Sequence, residues 1–308
     1  MSEQRLRSEM IAFARRCYER NLLVAMDGNL SALLPSGDVL CTRAGCHKGM
    51  LTDDDLVIID RKGNKLRGEG DPTSEMAMHL ACYDARADVR AIVHAHPPIS
   101  VAFTVAGVSM ARCVLPEVVL TLGTIPTLEY RTTGTMDLAS VVGRHIVDYD
   151  AVLMDRHGAV CVGRDLLEAF CRLETMEHTA LITKTARDMG RVQDLAPNEA
   201  VKLRAMGLER YGGPPAAVAK SREPGADLPE ACLGCSGCSN PSPTGIGPAG
   251  VGAWADMRMA RLAVQPLMTL GDALTEARRM VARPDDGGPV PALESAIVDE
   301  VLRALKDA

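Results

Sequence analysis

Aromatic residues are scarce in this chain: Phe, Trp and Tyr together make up only 3% of its 308 residues. Hydrophobic residues nevertheless make up 47% of the sequence, so a sizeable core must be built mainly from Ala, Val, Leu, Ile and Met. The length suffices for one large domain, or for a domain followed by a tail.

A surplus of positive charge is also lacking. The formal net charge of −6 gives no basic field that would attract nucleic acid. No apolar run approaches the length that spans a bilayer, and the polar start MSEQRLRSEM lacks the apolar core of a secretory signal. We therefore expect a cytoplasmic protein that binds neither nucleic acid nor a membrane.

Hydrophobic spacing predicts a mixture of helices and short strands. Helices are expected at 3–22, from about 72 to 85, and from Asp165 to about Asp188, where Asp165 and Glu168 resemble a capping box. Strands are expected at 39–42, 56–59, 91–94, 151–154 and 159–162. Turns are expected at 27–29 and, as a hairpin, at 155–158. This order favours an α/β fold with a largely antiparallel sheet covered on its faces.

Two histidines end one of the apolar strands. His94 and His96 are two residues apart, so both imidazoles point to the same side of a strand and can reach one metal ion. His157, in the predicted hairpin turn, would complete the three-ligand set that is typical of catalytic zinc. The alternative is that these are ordinary polar residues at strand ends, because an H-x-H pair often occurs by chance.

Four motifs follow one another in a fixed order along the chain. They are Gly28-Asn29-Leu30-Ser31, Pro72-Thr73-Ser74-Glu75, Val93-His94-Ala95-His96-Pro97 and Arg156-His157-Gly158. This series resembles the class II aldolase/adducin-head family, in particular the fuculose-phosphate aldolase type, over about residues 5–210. The resemblance implies a three-layer α/β/α fold with a mainly antiparallel central sheet.

The resemblance also implies roles for individual residues. His94, His96 and His157 would bind one zinc ion, and Glu75 would be the acid/base group and a potential fourth ligand. The residues expected around a substrate phosphate are Gly28, Asn29, Thr42, Arg43, Gly45, Thr73 and Ser74. The physical chemistry agrees, because a helix N-terminus presents free N–H groups to an anion and glycine allows close approach of the backbone.

The chain departs from the family pattern at the phosphate loop. The usual Thr-Pro-Ser/Thr-Gly is replaced by Thr42-Arg43-Ala44-Gly45, which removes one hydroxyl and adds one cation. Either Arg43 binds the phosphate directly, or the substrate carries a different anionic group. The acid at position 75 is Glu, as in the aldolases, whereas the related epimerases carry Asp, which favours C–C bond chemistry without excluding dehydration.

We therefore expect a zinc-dependent aldolase acting on a fuculose- or rhamnulose-phosphate-like ketose 1-phosphate. The products would be dihydroxyacetone phosphate and a small aldehyde such as lactaldehyde. Proton transfer by Glu75 calls for a carboxyl whose pKa is tuned toward neutrality. The family implies a homotetramer. The alternatives are a dehydratase, decarboxylase or epimerase that uses the same site, and an adducin-like scaffold without catalysis, which would have no need of the intact ligand set.

Other polar residues have two interpretations each. His79 follows Glu75 by four residues on the same helix face, so it either supports the site or has a structural role. His47, in a Gly-flanked loop, either borders the phosphate site or does not contribute. Tyr130 and Tyr211 are candidates for closing over the substrate, and packing roles are equally compatible with the sequence.

Composition changes near residue 211. We predict a catalytic domain at 1–210, a Gly/Pro/Cys-rich linker at 211–252, and a helical extension at 253–308, which together form a flexible, partly helical tail. Cys232, Cys235 and Cys238 have the C-x2-C-x2-C spacing of an iron–sulfur site, although the usual fourth cysteine is missing. The alternative is a disulfide-prone or metal-scavenging linker.

The last segment carries an amphipathic pattern. An apolar stripe at 294–306 resembles the encapsulation peptides that dock enzymes onto bacterial microcompartment shells, and helix-in-groove recognition fits it. Segment 294–308 would then bind a shell protein and place the enzyme inside the compartment, where a volatile aldehyde product would be enclosed. The alternative is local packing on the catalytic domain or on another subunit.

Overall fold

The computed structural model describes residues 2–214 of the chain. Its helices are α1 (Glu3–Glu19), α2 (Met76–Ala85), α3 (Pro98–Val105), α4 (Pro116–Thr121), α5 (Met136–Ile146), α6 (Leu166–Met189) and α7 (Pro197–Tyr211). Its strands are β1 (Asn29–Leu33), β2 (Val39–Thr42), β3 (Leu56–Ile59), β4 (Lys65–Arg67), β5 (Ala91–Ala95), β6 (Thr127–Leu128), β7 (Ala151–Met154) and β8 (Gly158–Gly163).

These strands form one sheet in the order β4-β3-β2-β1-β5-β8-β7-β6. Neighbouring strands are antiparallel except for β6 and β7, which are parallel. The central strands β1 and β5 set Asn29 opposite His94. The predicted mainly antiparallel sheet is confirmed.

Alternation along the strands divides the core into two layers. Leu56 and Ile58 pack on the face covered by α1 and α6, whereas Val57 and Ile59 pack on the face covered by α2 and α5. Both layers are built mainly from aliphatic side chains, with few aromatic rings, as the composition requires. The three-layer α/β/α architecture is therefore confirmed.

Several predicted boundaries need correction. Helix α1 ends at Glu19 rather than near residue 22, and two residues later Asn21 adopts a left-handed φ of +57° that no helix continues through. Asn29, which was expected in a turn, is the first residue of β1. Glu75, which was expected inside the first turn of α2, is instead the residue that precedes the helix.

The predicted capping box at α6 forms only in part. The Asp165 carboxylate accepts a hydrogen bond of 2.8 Å from the backbone N–H of Glu168, as expected of an N-cap. The Glu168 carboxylate, however, accepts from the backbone N–H of Arg164 at 2.6 Å and not from that of Asp165. The helix still begins where the sequence indicates, because one half of the box suffices to cap it.

No helix within residues 2–214 has the length and apolar character needed to cross a membrane. The last described helix, α7, ends at Tyr211. The predictions for the linker beyond residue 214, for Cys232, Cys235 and Cys238, and for the extension at 253–308 with its terminal segment 294–308 lie outside the described residues.

Candidate active site

Three imidazole rings converge at one end of the central strands. His94 lies on β5, His96 follows the end of that strand, and His157 lies in the turn that joins β7 to β8. The ring centroids are 4.8 to 5.2 Å apart, and the ligand nitrogens all lie within 4.8 Å of one another. The fold thus brings together the three residues that the sequence nominates as metal ligands.

The orientation of His94 turns its Nε2 toward the centre of this group. Its Nδ1 lies 3.0 Å from the carbonyl oxygen of Ala159, so Nδ1–H donates there and Nε2 points toward the other two rings. That Nε2 lies 3.2 Å from Nε2 of His96 and 3.0 Å from Oε2 of Glu75. Nitrogens bound to tetrahedral zinc at about 2.0–2.1 Å are roughly 3.3 Å apart, so this spacing fits a shared metal ion.

The other two rings are held in the form that binds a metal. Burial and the neighbouring His94 lower the pKa of His96 to about 4 and that of His157 to about 4. Both rings are therefore neutral at physiological pH, which is the protonation state of a metal-ligating imidazole. The carboxylate of Asp27, with Oδ2 3.6 Å from Nδ1 of His96, lies on the far side of that ring.

Within residues 2–214, two buried polar atoms at the rings have no hydrogen-bond partner. They are Oε1 of Glu75 and Nδ1 of His157. Oε1 of Glu75 also lies 3.3 Å from Nε2 of His157. A buried carboxylate oxygen without a donor is costly, and a cation among the imidazoles would compensate it. The residues present therefore fit a divalent metal.

Close approach of the two strand ends depends on Gly158. A Cβ at this position would lie 2.5 Å from the carbonyl oxygen of Ala95 and 2.6 Å from Cδ2 of His96. No side chain larger than hydrogen fits without moving backbone. The glycine that follows His157 therefore sets the distance between His157 and the histidines of β5.

Glu75 is a buried carboxylate aimed at the histidines. It accepts a hydrogen bond of 3.0 Å from Nδ2 of Asn29. Burial by itself would raise the pKa of Glu75, but His94, His157 and the Asn29 hydrogen bond outweigh it and hold the pKa well below its usual range. The protein groups by themselves therefore keep Glu75 ionised and do not tune its pKa toward neutrality as expected.

His79 belongs to the same arrangement. It is fully buried, with Nε2 2.6 Å from Oδ1 of Asn29 and Nδ1 2.6 Å from Oγ of Ser31. Its spacing of four residues from Glu75, which precedes α2, is the signal that indicated it. Ser31 gave no such signal, because nothing in the sequence shows that β1 lies against this face of α2.

Five of the predicted phosphate residues, Thr42, Arg43, Gly45, Thr73 and Ser74, lie on two adjacent segments, 42–45 and 72–74. A backbone bridge between Arg43 and Pro72 brings the 42–45 loop beside the 72–74 segment. The Arg43 guanidinium is 2.6 Å from Oδ1 of Asp55, so its charge is already partnered. The hydroxyl of Thr42 accepts from the backbone of Leu30 at 3.3 Å, and the carboxamide of Asn29 is committed to Glu75 and His79.

The remaining phosphate candidates differ in exposure. Thr73 is buried, and its hydroxyl accepts a 3.4 Å hydrogen bond from the backbone of Glu75, whereas Ser74 is exposed. Gly28 and Gly45 have left-handed φ values of +66° and +68°, which glycine adopts at least cost. A Cβ on Gly28 would also lie 2.7 Å from the carbonyl oxygen of His94, so this glycine packs directly behind a ligand candidate.

Thr104 and Asp27 are residues near the site that the sequence analysis did not indicate. Asp27 faces His96 as described, and the hydroxyl of Thr104 accepts a 2.9 Å hydrogen bond from the backbone N–H of Arg156, next to His157. Of the residues that had two interpretations in the sequence, His47 makes an edge-to-face contact with the ring of Tyr18, with a centroid distance of 4.8 Å. Tyr130 and Tyr211 are both largely exposed.

Comparison with known proteins shows that residues 8–183 match the Class II Aldolase and Adducin N-terminal domain family. The chain is 32% identical over 178 residues to an L-fuculose phosphate aldolase of Methanocaldococcus jannaschii, covering 58% of this chain and 94% of that protein. It is 31% identical over 207 residues to the 3-oxo-tetronate 4-phosphate decarboxylase of Escherichia coli K12, covering 66% and 97%. The crystal structure of YgbL from Klebsiella pneumoniae superposes with a TM-score of 0.62 at 31% identity, covering 66% of this chain and all of that one.

Proposed function

This chain belongs to the class II aldolase and adducin N-terminal domain family, and we propose that it is a zinc-dependent aldolase that cleaves a ketose 1-phosphate. Its homologues indicate a lyase. The proposed substrate is fuculose- or rhamnulose-phosphate-like, and the proposed products are dihydroxyacetone phosphate and a small aldehyde such as lactaldehyde. The L-fuculose phosphate aldolase of M. jannaschii supports this substrate class.

One observation carries the proposal. Oε2 of Glu75 lies 3.0 Å from Nε2 of His94, while Oε1 of the same carboxylate lies 3.3 Å from Nε2 of His157. A carboxylate beside three imidazoles provides both the ligands for a metal and a base within reach of a substrate bound to it. We propose His94, His96 and His157 as the ligands and Glu75 as the proton-transfer group.

The proposed chemistry assigns each proton and electron pair. A divalent metal, when bound, acts as a Lewis acid toward the substrate carbonyl. In the cleavage direction, the hydroxyl that becomes the aldehyde loses its proton and the adjacent carbon–carbon bond breaks. The electron pair of that bond passes to the carbon next to the ketone, and a proton is added there. Glu75, a carboxylate held in place by Asn29, accepts and returns the proton.

We propose that the substrate anion binds between the 42–45 loop and the 72–74 segment. The adjacency of the two loops and the backbone of Gly45 support this position. Because Arg43 is paired with Asp55, it would act as part of an Arg43–Asp55 pair rather than as a free cation. An Arg43→Ala variant should therefore raise KM for the phosphorylated substrate without lowering kcat in proportion.

A substrate screen tests the proposed reaction. Purified protein supplied with zinc is mixed with individual ketose 1-phosphates, and dihydroxyacetone phosphate is detected with a coupled dehydrogenase. Release from at least one substrate, and a loss of at least about a hundredfold in kcat in Glu75→Gln, is the expected result. Release from none of them would contradict an aldolase and favour the second candidate below.

The second candidate is a decarboxylase that uses the same site. It is supported by the E. coli 3-oxo-tetronate 4-phosphate decarboxylase, whose similarity to this chain extends over 207 residues. A 3-oxo acid also loses a carbon–carbon bond next to a carbonyl, so the same Lewis acid would serve. Release of carbon dioxide from 3-oxo-tetronate 4-phosphate in the same screen distinguishes this activity.

The identity of the metal is tested separately from the reaction. Elemental analysis of the purified protein should find about one zinc per chain, and His96→Ala should lower that content. His145→Ala is the matched control, because the Nδ1 of His145 instead lies 2.8 Å from the Val141 carbonyl oxygen within α5. Full activity in protein without metal would rule out zinc dependence.

The remaining proposals concern assembly and the tail. We propose that the protein is a homotetramer, which sedimentation analysis tests. We also propose that segment 294–308 binds to a microcompartment shell. Deleting 290–308 should leave turnover intact and abolish co-sedimentation with shell protein; loss of folding would support local packing instead. An iron–sulfur cluster on Cys232, Cys235 and Cys238 stays a prediction, and iron and sulfide analysis of anaerobically purified protein tests it.

A further inference from the structure

A row of buried polar side chains runs from Tyr83 to Glu75. The hydroxyl oxygens of Tyr83 and Ser31 are 2.7 Å apart, and Ser31 Oγ is 2.6 Å from Nδ1 of His79. Nε2 of His79 is 2.6 Å from Oδ1 of Asn29, whose Nδ2 is 3.0 Å from Oε2 of Glu75. All these side chains are buried, and they join α2 to β1 beneath the three histidines.

The chemistry of each group fixes the direction of every hydrogen bond. The Glu75 carboxylate can only accept, so the amide nitrogen of Asn29 must face it and the amide oxygen must face His79. That oxygen can only accept, so Nε2 of His79 carries a hydrogen. In the neutral ring Nδ1 then accepts from the hydroxyl of Ser31, which in turn accepts from the hydroxyl of Tyr83.

The environment of His79 is consistent with this single arrangement. The ring is fully buried, and burial lowers its pKa to about 3, with a smaller contribution from His94. A neutral imidazole has one N–H donor and one nitrogen acceptor. The carboxamide oxygen of Asn29 requires the donor, and the hydroxyl of Ser31 uses the acceptor. No other tautomer satisfies both Asn29 and Ser31, so the two neighbours select the Nε2–H form.

We propose that His79 is a positioning residue that acts through Asn29 on Glu75. The neutral Nε2–H ring fixes which way the Asn29 carboxamide points, and the carboxamide holds Oε2 of Glu75 beside His94 with Oε1 beside His157. Without His79 the carboxamide is free to rotate, and its oxygen would then repel the carboxylate. This inference rests on the proposed role of Glu75 in proton transfer.

Two substitutions of His79 distinguish a role in positioning Asn29 from a role in packing alone. The amide nitrogen of glutamine reaches the place of Nε2, whereas asparagine reaches only the place of Nδ1, so His79→Gln keeps the donor to Asn29 and His79→Asn loses it. We expect H79N to lower kcat by about ten- to a hundredfold with little change in KM, and H79Q to restore most of it. If both variants lose the same fraction of kcat, and this loss parallels the fall in their melting temperatures, the proposal is overturned.

A second measurement does not depend on catalysis. In metal-free protein labelled with 15N-histidine, the His79 signals are identified by their absence from the H79Q spectrum, and nitrogen chemical shifts report the tautomer. We expect the neutral Nε2–H form throughout pH 5 to 8, whether or not a substrate is found. An Nδ1–H tautomer or a protonated ring would overturn the proposal. An inactive protein with the expected tautomer would instead contradict the proposed function alone.

Discussion

The hydroxyl oxygen of Thr104, on α3, lies 2.9 Å from the backbone nitrogen of Arg156, in the turn before His157. Arg156 has a left-handed φ of +54°, which an L-residue with a long side chain adopts only at a cost. The same hydroxyl donates to the carbonyl of Val101 at 2.8 Å, so its proton and its lone pair are both used. Helix α3 therefore holds the turn that presents His157.

Replacing Thr104 with Val should weaken metal binding. The variant keeps the shape of the side chain but leaves the Arg156 amide without its acceptor, which costs about 1–2 kcal/mol of stability and loosens the turn. We expect the metal Kd to rise by roughly tenfold, as for other residues that orient metal ligands, when it is measured by competition with a chelator. Thr185→Val is the control, because its hydroxyl donates to Leu181 on an exposed face of α6. Equal metal affinity in the two variants would contradict the role given to Thr104.

Replacing Gly158 with Ala should abolish or strongly weaken metal binding. The new Cβ would meet the Ala95 carbonyl oxygen at 2.5 Å and the His96 ring at 2.6 Å, so the strand ends must separate. Gly163→Ala is the matched control at the other end of β8, where the Cβ would meet the backbone nitrogen of Ala169 at 2.6 Å. Both variants should melt at lower temperature, and isothermal titration with zinc should show lost affinity in G158A alone.

The dependence of stability on pH should change when His79 is replaced. The pKa of His79 is lowered from its ordinary 6.5 to about 3, chiefly by burial. Between these values the unfolded chain holds a proton that the folded chain lacks, so stability falls as the pH falls through this window. In metal-free H79Q this contribution disappears, and the slope of unfolding free energy against pH should be smaller by about 1.4 kcal/mol per pH unit. Urea unfolding from about pH 4.5 to 6 measures it. His178→Gln controls for the loss of a histidine elsewhere, and an unchanged slope in H79Q would count against a buried neutral ring.

Replacing Glu177 with Ala should destabilise the first turn of α3. Its carboxylate accepts from the backbone N–H of Ile99 and of Ser100, each at 2.8 Å, and from the Ser100 hydroxyl at 2.7 Å. Losing a carboxylate at a helix N-terminus costs about 1–3 kcal/mol, which chemical denaturation measures. Glu174→Ala, which removes an ion pair with the exposed Arg20, is the control and should cost less than about 1 kcal/mol.

The sequence pattern predicted those parts of the chain in which the spacing of apolar residues is compatible with only one kind of secondary structure. Alternating or continuous aliphatic runs gave β2, β3 and β7 with their observed bounds, because a strand buried on both faces needs apolar residues throughout. Helices α3, α4 and α7 were not indicated. The α7 sequence contains Gly207, which lowers intrinsic helix propensity, but a Cβ there would lie 2.1 Å from the Leu120 carbonyl oxygen. Close packing on α4 therefore explains a glycine that local propensity cannot.

The sequence by itself determined which chemical groups form the site, namely His94, His96 and His157 with Glu75. It could do so because strand periodicity and the order of the motifs can be read directly along the chain. The tertiary structure alone decided how those groups are held. It set Asn29 opposite His94 across two strands, aligned His79 with Asn29, and placed Thr104 under the turn of His157. Each of these contacts joins residues about 50 or more positions apart, and only packing of the sheet against its helices brings such residues within hydrogen-bond distance.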